Sequence, residues 1–168
     1  MKIFFSIILF FFSTAVIAQP DKPVTNEELK ALVGNWAGTM VATGFIVGKN
    51  QQNFSATLEV VDMEDSLLFN FTYTDAAGKQ QTEKYPLRIF DNGSKLNFDS
   101  TQFDLTEIRR RGIRLFIYAE REGYDINHAA DYQVSFIIGP GILNITKGIR
   151  YGDMVDFSIQ KRLTLTKK

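Results

Sequence analysis

The chain has 168 residues with 19 basic and 19 acidic side chains, one histidine and no cysteine. That charge balance gives no electrostatic reason to bind nucleic acid or an acidic membrane surface. The missing cysteine excludes a disulfide framework and any lipid anchor attached through a thiol, so stability must come from the core.

Lys2 precedes an apolar run from Ile3 to Phe12 broken only by Ser6, and Val16 and Ala18 occupy the positions a signal peptidase reads. This is the pattern of a secretory leader at 1–18, cut after Ala18. The run to Ala18 is short of the ~20 residues a membrane-spanning helix needs. The expected mature domain is 19–168, with 18 basic and 19 acidic side chains. It is one domain's worth of chain, burying roughly two-thirds of its unfolded surface. It is expected to be secreted or periplasmic, with no stable membrane anchor after cleavage. Asn53, Asn70, Asn92 and Asn144 head Asn-x-Ser/Thr triplets, which we read as chance occurrences because Asn70 and Asn144 fall inside predicted strands.

Gln19 to Val24 holds two prolines and reads as an extended tail. Thr25-Asn-Glu-Glu28 is a capping box. Leu29, Leu32 and Val33 follow at helical spacing and Gly34 can stop the helix, so about two turns precede the only tryptophan, Trp36.

After Trp36 the period changes to two. Strands are predicted at 53–61, 67–74, 82–90, 95–99, 103–108, 113–120, 132–138, 142–149 and 155–165. Asp75-Ala-Ala-Gly78, Asp91-Asn-Gly-Ser94, Gly139-Pro-Gly141 and Tyr151-Gly-Asp153 supply turns. Pro86 implies an edge position or a bulge. Arg121 to His128 reads as a polar loop. The 113–120 segment carries large apolar groups on both faces, which leaves its inward face open. Nine or ten strands joined by short turns would leave long apolar edges unless the sheet closes. The fold class is therefore all-β, a single antiparallel up-and-down barrel of about 8–10 strands with a short N-terminal helix. A two-sheet sandwich is the alternative.

The short helix, then Gly34-Asn35-Trp36 at the start of the first strand, then a strand meander, resembles the lipocalin and calycin group. It also resembles lipocalin-like domains of exported proteins from Bacteroidetes-type bacteria. The resemblance implies that Trp36 plugs one end of the barrel. It also implies that a basic side chain of the last strand, Lys161 or Arg162, packs across the indole. These are roles in the fold rather than in chemistry.

No catalytic constellation is legible, and no enzyme is expected. His128 stands alone, which leaves a haem ligand or acid/base group disfavoured against a solvated histidine, and zinc or copper without a ligand set. Arg109, Arg110, Arg111 and Arg114 could hold an anionic group, but a solvated turn beside Asp104 and Glu107 is the favoured reading. No Gly-x-Ser-x-Gly occurs, and Gly139-Pro-Gly141 lacks the lysine of a phosphate loop. Asp62, Glu64 and Asp65 do not match a calcium loop. Catalytic residues, metal and cofactor are thus all expected to be none.

The aromatic residues are the feature in excess. Phe69, Phe71, Phe116, Tyr118, Tyr132 and Phe136 are the expected wall of an internal pocket, with tyrosine hydroxyls orienting a small apolar or amphipathic ligand. The alternative is a filled barrel serving as a protein-interaction module of the cell envelope, its protein partner unknown. A monomer is expected.

Overall fold

A computed structural model describes residues 22–43, 51–75 and 77–168. The leader expected at 1–18 lies outside them. Helix α1 (Asn26–Leu29) continues as a 3-10 turn (Lys30–Leu32) and leads into β1 (Gly34–Thr43). Then come β2 (Gln51–Asp62), β3 (Leu67–Thr74), β4 (Gln80–Phe90) and β5 (Lys95–Phe98). They are followed by β6 (Thr101–Arg111), β7 (Arg114–Asp125), β8 (His128–Gly139), β9 (Ile142–Tyr151) and β10 (Ser158–Lys167). Every strand pairs antiparallel with its sequence neighbours, and β10 returns to pair with β1, so ten strands close into one barrel.

The helix forms for the reason its sequence gives. The Thr25 side chain accepts from the Glu28 amide, and the Glu28 carboxylate accepts from the Thr25 amide. That reciprocal cap is worth about 1 kcal/mol. The Asn26 side chain docks the helix by bonding both ways to the Ile89 backbone of β4 at 3.0 and 3.1 Å. Leu29, Leu32 and Val24 are buried against the barrel.

Trp36 closes this end. Its indole N–H donates to the Leu32 carbonyl at 2.8 Å, satisfying an acceptor left over at the end of the helical segment. The basic group across the indole is Lys167, not Lys161 or Arg162. Its Nζ lies 5.4 Å from the ring centre and donates to the Ala31 carbonyl at 3.1 Å. The register explains the correction, because Trp36 pairs with Lys167, whereas Lys161 lies opposite Ala42 and Arg162 opposite Val41. Arg162 is exposed. A β-bulge does occur in β10, but between Ile159 and Lys161, and it leaves Arg162 off the inner face.

Two glycines make this arrangement possible. Gly34 has φ +124°, and a Cβ there would stand 3.3 Å from the Lys167 Cε. At Gly38 a Cβ would lie 2.0 Å from the Thr164 carbonyl oxygen. Backbone cannot yield that much, so β1 and β10 meet only because position 38 has no side chain.

Inward positions alternate along every strand. Leu67, Phe69, Phe71 and Tyr73 of β3 line the inside as their spacing predicts. In β7 the inward set is Leu115, Ile117 and Ala119, so Phe116 and Tyr118 face outward. The segment expected to be a polar loop at 121–128 is instead a continuous hairpin. Strand β7 runs to Asp125, Ile126 and Asn127 turn with φ of 44° and 70°, and β8 starts at His128. Its polar look arises because the inward positions there, Arg121, Gly123 and Asp125, are not apolar.

Pro86 sits where sequence placed it, at a local edge. Strand β5 is only four residues long, and its last pair with β4 is Leu87 with Phe98. From Gln80 to Pro86, β4 is paired with β3 alone among the described residues.

Candidate functional site

The inner face changes character along the barrel axis. At the helix end and middle its buried side chains are all apolar, with Arg110 and Lys167 only at the rim, and Phe69, Phe71, Phe98 and Phe136 are buried there as a connected cluster. Their neighbouring ring centres lie 5.1–6.0 Å apart, with Phe98 edge-on to both Phe69 and Phe136. At the far end, which carries the β3–β4, β5–β6, β7–β8 and β9–β10 turns, the same inward positions carry Tyr73, Glu83, Tyr85, Arg121, Tyr132, Lys147 and Lys161.

Glu83 organises this layer. Lys161 Nζ donates to it at 2.8 Å, Tyr73 donates at 2.8 Å, and Tyr85 donates as well. The half-unpaired stretch of β4 delivers Glu83 and Tyr85, while β3 delivers Tyr73 and β10 delivers Lys161. The acid and the amine are 30 % and 17 % exposed, so solvent screens the pair only partly. Burial acts to raise the Glu83 pKa, but the hydrogen bonds from Lys161, Tyr85 and Tyr73 outweigh it and hold the carboxyl below its usual range. The tyrosines respond in the opposite sense. Burial, with the Glu83 charge behind it, pushes Tyr73 up to about 12 and Tyr85 higher still. Both hydroxyls are therefore fixed as donors at neutral pH.

Lys147 is the cross-strand neighbour of Lys161. Two like charges side by side on one face destabilise a sheet unless each is compensated. Here Lys161 has Glu83, and Lys147 donates to Asp99 at 2.6 Å. The two ammonium groups flank one ring: Lys147 lies 4.7 Å and Lys161 5.5 Å from the centre of Tyr85. Lys147 is also 5.2 Å from the Phe98 ring, the top of the apolar cluster. Asp99 reaches inward because Asp99 and Ser100 form a two-residue turn, both with φ of 56°.

Arg121 completes the layer. Its guanidinium stacks on Tyr132 at 4.3 Å, and Gly123 leaves room for the stack, since a Cβ there would meet the arginine and the Tyr132 ring. The Arg121 Nε is buried without a hydrogen-bond partner among the described residues. The Tyr132 hydroxyl is already used, donating to the Tyr124 carbonyl at 2.8 Å.

Of the six residues expected to wall a pocket, Phe69, Phe71 and Phe136 lie in the packed interior and Tyr132 at its far rim, while Phe116 and Tyr118 are on the outside. The residues that sequence reasoning missed are Glu83, Tyr85, Asp99, Lys147 and Arg121. The available signal was a charged residue in phase with the apolar set: Glu83 is two and four positions from Tyr85 and Leu87, and Lys147 is two from Ile145. Asp62, Glu64 and Asp65 stay in the β2–β3 turn region, where Asp62 and Asp65 pair with Lys30 and Arg88. His128 is exposed at the start of β8, and no group of three or more metal-ligating side chains occurs among the described residues. No helix among them is long and apolar enough to cross a membrane.

Comparison with protein-family models and with curated protein sequences finds no match for the chain.

Proposed function

We propose that this is a non-enzymatic binding protein that takes a small amphipathic molecule at the far end of the barrel, its polar head among Lys147, Lys161 and Arg121. The observation that carries the reading is the pair of lysines set side by side on the inner face, directly above an aromatic cluster. A barrel needing only a packed interior would be more simply stabilised by apolar residues of similar volume there. The ammonium groups of Lys147 and Lys161 keep N–H groups beyond those given to Asp99 and Glu83, and the buried Arg121 Nε–H has no partner among the described residues, so the three offer convergent donors to an acceptor-rich head group, with ring faces beside them for carbon. The capped helix, Gly34-Asn35-Trp36 and the closed meander support a calycin-like kinship, with the lipocalin-like domains of exported bacterial proteins as its finer form. The 1–18 segment supports export to a periplasm or beyond the cell.

Native mass spectrometry of the protein purified from its own host tests this reading. A reproducible extra mass is expected, lost on denaturation and absent from the Lys147→Met/Lys161→Met double variant if that variant keeps its fold. A clean apo mass for the wild type, with no binding from a panel of amphipathic anions, would overturn it.

One observation favours a second reading, a filled barrel acting as an envelope interaction module. The middle of the barrel is packed with phenylalanine, and Phe116 pairs with Ile137 on the outer surface. Saturable capture of a defined partner that Phe116→Ser abolishes would support it over ligand carriage.

A further inference from the structure

An apolar cleft lies away from the charged far end. The cleft, of about 480 Å³ and open to solvent, sits at the opposite end beside the helix, between the β6–β7 and β8–β9 turns. Its floor is Trp36, Leu115 and Ile138, and its wall includes Pro140 and Ile113, the latter 78 % exposed. The volume falls within the ~300–1,000 Å³ of small-molecule sites.

The charges around this floor are unbalanced. Arg110 is neutralised by Glu28, to which it donates at 3.0 and 3.1 Å. The Lys167 ammonium has no carboxylate partner among the described residues, and its one hydrogen bond among them goes to the Ala31 carbonyl. The Arg114 side chain, whose stem lies beside Gly139, makes no ion pair or hydrogen bond among the described residues. Two uncompensated cations thus border an apolar floor that includes an indole.

From this complementarity we infer that the cleft is a second binding site, distinct from the far end, for a single-chain amphipathic carboxylate. The alkyl chain lies on Trp36, Leu115 and Ile138, with Ile113 folding over it, and the carboxylate meets Arg114 and Lys167. A fork-shaped guanidinium with both donors free suits a carboxylate. Lys167 contributes charge while it keeps its place over the indole. The site needs no rearrangement of the barrel, because Ile113 stands in a two-residue turn with Gly112 at φ +58°.

The chain's single tryptophan makes the test specific, because a bromine atom quenches an indole only near contact. Titration with 12-bromododecanoate below its micelle concentration is expected to quench Trp36 saturably. Arg114→Glu should weaken binding tenfold or more, and Arg114→Gln several-fold, both with unchanged melting temperature. Lys147→Met/Lys161→Met should leave the quenching unchanged while altering binding at the far end, so failure of one site is distinguishable from failure of the other. Absence of quenching, quenching equal in Arg114→Glu, or quenching that depends on Lys147 and Lys161 instead of Arg114 would each overturn the proposal.

Discussion

The helix end and the far end of this barrel are made by the same ten strands and solve opposite problems. At the helix end, the polar groups turned toward the interior are few: the indole N–H donates to the Leu32 carbonyl, and Lys167 donates to that of Ala31. The buried interior there is apolar, with Leu29, Leu32, Leu96, Leu143 and Leu165 among its side chains. At the far end the inner face carries lysines, an acid and tyrosines whose mutual bonds satisfy one another. Apolar packing tolerates substitution in proportion to the volume lost. A polar network responds to loss of one member by stranding the others. The two ends should therefore fail differently, and variants at each can show whether stability and ligand recognition are divided between them.

The largest effect is expected at the seam of the helix end. Gly38→Ala would drive a methyl group into the Thr164 carbonyl, so the protein should lose at least about 3 kcal/mol or fail to fold, read by circular dichroism on heating. Trp36→Ala is expected to cost ~3–5 kcal/mol; an unchanged melting temperature would remove the plug from the description of this end.

Glu83→Gln addresses the far end and should be milder, about 1–2 kcal/mol, because it strands Lys161 in a partly exposed site. Its sharper readout is optical. Tyr73 and Tyr85 should titrate late in the wild type and fall back toward the ordinary tyrosine range in the variant, measured by tyrosinate absorbance.

The pH dependence of stability reports on the far end. Glu83 has a lowered folded pKa, so its contribution is present above pH 4.5, its ordinary value, and is lost as the pH falls through the folded value. Tyr73 has a raised one, so its contribution is complete below pH 10 and is lost as the pH rises through about 12. Glu83→Gln should flatten the acid limb, and a limb of unchanged slope would deny the network its role. Smallest of all, Lys167→Met should cost about 0.5–1 kcal/mol through the lost contact over the indole.

What could be read from sequence follows the same division. Strand β3 was legible because Leu67, Phe69, Phe71 and Tyr73 alternate with Leu68, Asn70, Thr72 and Thr74, three of which are polar. The helix was legible because its cap is local. Strand β7 was not, since Leu115-Phe116-Ile117-Tyr118 is apolar on both faces and only neighbouring strands decide which face turns in. The 121–128 segment was misread because polar inward residues imitate a loop. Lys167 was missed for a different reason: pairing with Trp36 is a matter of register between the first and last strands, which periodicity within either strand does not encode. The far-end network was missed for the same reason, because its members come from β3, β4, the β5–β6 turn, β9 and β10.

The pairing of β1 with β10 also governs when the molecule can become itself. Lys167 reaches Ala31 across 136 residues of chain, close to the greatest sequence separation any contact here can have. Contacts of that separation carry a large loop-closure entropy and are slow to form. All nine sequence-adjacent strand pairs of the meander can assemble locally beforehand, but the cylinder cannot shut until β1 and β10 meet. Trp36 stands at that junction, so its fluorescence should change in the last kinetic phase of refolding, after most of the sheet signal has already appeared.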